Sequence, residues 1–111
     1  MKVITRNEGL LSIVSPDGAF VEEELEDLKT VISECLEEGL NRVLLDLTRV
    51  SHFDSKGLEN IEEWSMRFNR ARGWLAVINP NPLCRDILRA TRIDHIVRLF
   101  DSMEEALQRA Y

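Results

Sequence analysis

The sequence predicts an α/β domain: a mixed, mostly parallel β-sheet layered with about four helices, in the order β-β-α-β-α-β-α-β-α. Three observations predict it. Short apolar runs alternate with segments of helical period, glycine and proline fall between them, and Val43-Leu44-Leu45-Asp46-Leu47 is apolar at nearly every position. Such a run suits a central strand covered on both faces. Three successive β-α-β units then require mostly parallel strands joined by right-handed crossovers.

Residues 2–6 and 10–15 read as short strands around Asn7-Glu8-Gly9, a glycine-containing reversal. Pro16-Asp17-Gly18 is expected to break the chain. From Ala19 to Glu38, the residues Val21, Leu25, Leu28, Ile32, Cys35 and Leu36 recur at helical spacing, with Glu22, Glu23 and Glu24 in the first turn and Gly39 as a left-handed cap. The strand at 42–47 leads through a loop, Thr48 to Phe53, into a helix over 55–72 that buries Leu58, Ile61, Ser65 and Phe68 and is closed by Gly73. A strand at 74–79 and the rigid loop Asn79-Pro80-Asn81-Pro82 precede a third helix, with Leu83, Ile87 and Ala90 on its inward face. A last strand lies near 96–100. Ser102-Met103-Glu104-Glu105 has capping-box form and opens a terminal helix with Met103, Ala106, Leu107 and Ala110 on one stripe.

At 111 residues and 44% hydrophobic composition, residues 1–111 are expected to form one domain with a single core. Apolar runs reach about five residues, against the roughly 20 that span a bilayer, so no membrane insertion is expected. Polar residues interrupt Met1-Lys2-Val3-Ile4-Thr5-Arg6-Asn7 before a signal-peptide core can form, and a cytoplasmic address follows as the default. The net charge of −6 argues against nucleic acid as a partner. Arg67, Arg70 and Arg72 are read as helix-end cations that meet the dipole. Cys35 and Cys84 have neither metal spacing nor a disulfide partner and are read as semi-buried thiols. No cofactor or metal site is read. Oligomeric state is not fixed: exposed apolar residues such as Trp64 and Met66 either mark an interface or simply lie against a neighbouring element.

Function is sought where the central strand ends, because open α/β sheets gather sites where strands enter helices and free N–H groups point outward. There the chain reads Ser51-His52-Phe53-Asp54-Ser55-Lys56-Gly57-Leu58-Glu59. A P-loop, a dinucleotide fingerprint and a nucleophile elbow each need glycines that this junction lacks. His52 and His95 have no spacing that builds a triad with Ser55. Phosphoryl transfer through Asp46 or Asp54 lacks the further acidic ligands and the lysine such a site needs. Either Asp54 or Ser55 can cap the helix, and a hydroxyl at that position can also carry a phosphate. New charge there would repel an acidic or apolar partner packed over the same spot.

These residues resemble the STAS family, the anti-sigma-factor antagonists. The family pattern is an apolar strand, an Asp-Leu pair (Asp46-Leu47), a short loop (Thr48 to Phe53) and Asp-Ser-x-Gly-Leu opening a helix (Asp54 to Leu58). The resemblance extends through Leu83 to Thr91, Ile93-Asp94-His95-Ile96 and Phe100 to Leu107. It implies a STAS-like fold, no catalytic activity, and Ser55 as the phosphoacceptor for a partner that is both anti-sigma factor and serine kinase. The unmodified form would sequester that partner, and a phosphatase would reset the switch. The expected partner face comprises Ser51, His52, Phe53, Asp54, Lys56, Gly57, Leu58 and Glu59 with the loop Asn79, Pro80, Asn81 and Pro82. The resemblance equally admits a constitutive scaffold subunit of a lipid-transport or stress-signalling complex with Ser55 unmodified. The chain departs from the pattern at His52, usually apolar, at Lys56, where a small hydroxyl residue is common, and at Arg92, where a glycine often ends the third helix.

Overall fold

The structure is a computed structural model and describes residues 1–109. Its strands are β1 (Lys2–Glu8), β2 (Leu11–Phe20), β3 (Arg42–Asp46), β4 (Arg49–Phe53), β5 (Trp74–Ile78) and β6 (Arg98–Phe100). Its helices are α1 (Glu26–Glu37), α2 (Ser55–Arg70), α3 (Pro82–Ala90) and α4 (Met103–Arg109), and the mixed α/β architecture is the one the sequence predicts. The sheet order is β1-β2-β3-β5-β6, with β4 alongside the far half of β2; only β1 runs antiparallel.

Three expectations about β2 and β4 are corrected together. Pro16-Asp17-Gly18 does not break the chain, residues 19 and 20 do not begin a helix, and 49–53 is a strand, which leaves only a tight turn at Thr48. β2 instead continues to Phe20, pairing β3 through Ser12–Val14 and β4 through Asp17–Phe20. Pro16 falls between the two registers, so its missing N–H removes no ladder bond. Beyond β2, Val21 opens a 3-10 turn at Glu22–Glu24, and these glutamates precede α1 rather than start it.

The two faces of the sheet bury separate cores. Alternation along β3 sends Val43 and Leu45 to one face and Leu44 to the other, which is why this run is apolar throughout. The first face meets α1, α2 and α3 through Leu28, Ile32, Ile61, Phe68, Cys84 and Leu88; the second meets α4 through Ala106. On α2, Trp64 is buried, not exposed, its ring edge-on to Phe20 at 6.1 Å, whereas Met66 is exposed as expected. On α3 the expected face is out of phase. Leu83 and Ala90 lie outward, Ile87 is half-buried, and Cys84 and Leu88 point into the core.

Helix ends follow backbone geometry. Gly39 takes φ 76 as a left-handed cap, but after α2 the positive φ belongs to Arg72, and Gly73 is required for another reason. A Cβ on Gly73 would stand 1.8 Å from the Asn41 carbonyl. The last strand is shorter than expected, beginning at Arg98, and Ala110 lies outside the described residues.

Candidate functional site

The site is built where β2 and β4 end side by side and α2 begins. Asp54 is extended (φ −102, ψ 179) and caps α2: its Oδ1 accepts from the Gly57 N–H at 2.7 Å. Its Oδ2 accepts from the Glu22 N–H at 3.1 Å, tying the 3-10 turn after β2 to the same carboxylate. The Asp54 N–H donates to the Phe20 carbonyl at 3.3 Å. These bonds, the one from Gly57 foremost, hold the Asp54 carboxyl below its usual range, so it is an anion at neutral pH.

The cap chemistry left open between Asp54 and Ser55 is therefore performed by Asp54. Ser55 is the first residue of α2 and is exposed, and its hydroxyl makes no hydrogen bond among the described residues. Gly57 lets α2 come this close to β2: a Cβ there would lie 2.1 Å from the Phe20 carbonyl oxygen and 2.8 Å from the Phe20 ring. Lys56 is exposed and pairs with Glu59 at 3.2 Å, which pushes its pKa up.

The loop Asn79 to Pro82 reaches the same end of the sheet through Asn81. Its Oδ1 caps α3 by accepting from the Cys84 N–H at 2.7 Å, and its Nδ2 donates to the Val50 and Ser51 carbonyls at 3.1 and 3.2 Å. One side chain thus locks the start of α3 to β4. Of the residues assigned to the partner face, Ser51, His52, Lys56, Glu59 and Pro82 are exposed, as Ser55 is, and Asp54, Leu58, Asn79 and Asn81 are half-buried. Phe53, Gly57 and Pro80 are buried and shape the face from beneath. Ser51 Oγ lies 3.0 Å from His52 Nδ1.

The alternatives meet local obstacles. Asp46 is occupied by the Ser15 hydroxyl at 3.1 Å and the Thr48 N–H at 3.1 Å, and no group of acidic, His or Cys side chains that could hold a metal ion forms among the described residues. Cys84 is fully buried, its thiol pushed up by burial; Cys35 is pushed up by burial first and then by Glu38 and Glu34. Both are more buried than expected. Two contributors were invisible in the sequence: Phe20 and Glu22, more than thirty positions from Asp54, become its neighbours only because β4 pairs with β2. Their chain positions carry no local motif that could have found them.

The chain is a small α/β domain that displays Ser55 at a helix start, beside the engaged carboxylate of Asp54. The profile of the STAS domain family matches residues 2–106, and the chain belongs to that family. A candidate anti-sigma factor antagonist from Thermotoga neapolitana is 34% identical over 80 residues, covering 72% of this chain and 71% of that protein. The crystal structure of a candidate anti-sigma factor antagonist from Thermotoga maritima superposes with a TM-score of 0.89 at 26% identity, over 96% of this chain and 92% of that one. The Bacillus cell fate determinant SpoIIAA in its phosphorylated form shares the fold with a TM-score of 0.74 at 17% identity, over 99% of this chain and 100% of that one. Among the described residues, no helix is long and apolar enough to cross a membrane.

Proposed function

We propose that this chain is a non-catalytic anti-sigma factor antagonist that works as a phospho-switch at Ser55. Unmodified, it binds an anti-sigma factor that is also its serine kinase. Phosphorylated on Ser55 it releases that partner, and a phosphatase restores it. The observation that carries the reading is the division of labour at the helix start: Asp54 does the capping, which leaves the Ser55 hydroxyl exposed and uncommitted. Relatives that are candidate antagonists of anti-sigma factors support the general role, and a fold neighbour that exists in phosphorylated form supports the switch.

The physical effect of the phosphate follows from its charge. Up to two negative charges would join the Asp54 anion and the exposed glutamates of the Glu22–Glu24 turn. The first turn of α2 tolerates this, since its free N–H groups and the macrodipole favour an anion. A partner surface closed over Ser55 does not, because it would desolvate the new charge beside other anions.

The test uses the full chain with serine kinases of the anti-sigma type, read by intact mass, site mapping and binding. One phosphate on Ser55 with loss of binding is expected. Ser55→Asp should weaken the complex by about tenfold or more, and Ser55→Ala should keep it. Equal affinities for the two variants, or a complex that stays tight while the kinases add no phosphate to Ser55, would replace the switch with a constitutive scaffold.

A further inference from the structure

We infer that the free edge of β1 is an interface for a second copy of this chain, formed by antiparallel pairing of two β1 strands about Thr5 into one continuous sheet. The inference goes beyond the switch at Ser55, and none of its residues belongs to that face.

β1 has one neighbour, β2, and lies at the rim of the sheet. Its hairpin determines which backbone groups face out. Gly9, at φ 59, and Leu10 form a two-residue turn, so Glu8 and Leu11 are the closing pair that exchanges both backbone bonds. Alternation from there turns the N–H and C=O groups of Glu8, Arg6, Ile4 and Lys2 toward β2. Those of Val3, Thr5 and Asn7 point away from the sheet and have no hydrogen-bond partner among the described residues. Such a row is a template for another strand.

The sequence of β1 is complementary to itself in one register. Centred on Thr5, the pairs that exchange backbone bonds are Thr5 with Thr5 and Val3 with Asn7, so every outward group finds a partner. Lys2 then faces Glu8 at both ends of the ribbon, an opposite-charge cross-strand pair made twice. Ile4, 52% exposed in the single chain, faces the Arg6 stem and lies diagonal to its own copy across the two-fold axis. Centring on Val3 or Asn7 leaves part of the strand unpaired or runs into the Gly9-Leu10 turn, whereas centring on Thr5 uses all seven residues.

A seven-residue edge is a small interface, so association should be weak and visible only at high concentration. Sedimentation equilibrium from about 10 μM to 1 mM should show a monomer–dimer equilibrium of the full chain. Thr5→Pro removes an outward N–H without touching the bonds to β2 and should abolish the dimer, with thermal unfolding as the check on folding. Lys2→Glu should raise the dimer Kd at least about fivefold, and Lys2→Glu with Glu8→Lys should restore it, because only this register sets the two positions opposite each other. Thr5→Cys should cross-link under mild oxidant, since a bonded pair places its Cα atoms about 5.5 Å apart, within disulfide reach. A monomer across the whole range, a dimer indifferent to Thr5→Pro, or no rescue by the double swap would overturn the inference. Capture of a foreign extended peptide by this edge with no dimer would overturn it too.

Discussion

Replacing Gly57 with alanine sets two effects of opposite sign against each other at the base of the site. Helix propensity alone favours alanine inside a helix by about 1 kcal/mol. The structure opposes it: the new Cβ would stand 2.1 Å from the Phe20 carbonyl oxygen, where ordinary contact begins at 3.4 Å. The obstacle is backbone within a buried strand end, so α2 must retreat by a distance on the order of 1 Å in a close-packed interior, at about 1–3 kcal/mol. Retreat also stretches the Asp54 N–H bond to Phe20, already 3.3 Å, and the Glu22 N–H bond to Asp54 at 3.1 Å. Each is worth about 1 kcal/mol. The net expectation is a loss of about 2–4 kcal/mol, or about 10–15 °C in Tm for a chain of this size. Urea unfolding followed by tryptophan fluorescence measures it. Because the nearer atom is a carbonyl, Phe20→Leu should not rescue the variant. A Gly57→Ala protein as stable as the parent, or more so, would refute the close approach of α2 to β2.

Two further outcomes follow from backbone and charge. Asp54→Asn keeps a good cap but removes the anion. Because the native Asp54 pKa lies below the unfolded value, its charge contributes stability above the unfolded pKa, and that contribution is lost as pH falls through the native one. The parent should therefore be the more stable protein at neutral pH, with the difference closing in acid; a gap that does not change with pH, in paired urea titrations, would contradict the cap. Arg92 holds φ 62 at the start of the 3-10 turn after α3. Arg92→Gly should relieve this and stabilise by about 0.5–1 kcal/mol, net of the extra freedom glycine gains when unfolded, and a lower urea midpoint would count against it.

The layered fold was legible because its signals are local or periodic. The apolar run at Val43 to Leu47 marks a doubly covered strand, and Gly39 and the Asn79 to Pro82 loop mark ends. What failed was whatever depends on a distant partner. Pro16 looks like a breaker until β2 is seen to exchange β3 for β4 at that residue. The strand Arg49–Phe53 looks like a loop because only Val50 and Phe53 are buried, and its pairing partner lies over thirty positions earlier. Leu83, Ile87 and Ala90 fit one helical face by spacing, but α3, capped by Asn81, turns Cys84 and Leu88 into the core instead. At the site, the motif from Asp54 to Leu58 was readable as a unit, yet the reason for its glycine was not. That reason is a carbonyl supplied by Phe20.

If Ser55 is the phosphoacceptor, as proposed, the arrangement would also separate stability from modification. If the Ser55 hydroxyl capped α2, adding a phosphate would sacrifice a bond that holds the helix, and regulation would be coupled to local unfolding. With Asp54 accepting from both Gly57 and Glu22, the two elements that frame the site stay tied whatever happens at Ser55. Binding can then change by the repulsion of a desolvated phosphate while the domain remains folded. The same logic sets a limit on Lys56. Its ammonium is paired with Glu59 at an exposed position, where solvent screening leaves ion pairs weak, so it can turn to a phosphate on Ser55 at little cost. A lysine that re-pairs in this way would hold the added charge at the helix start without cancelling it, leaving the partner surface to face a net anion.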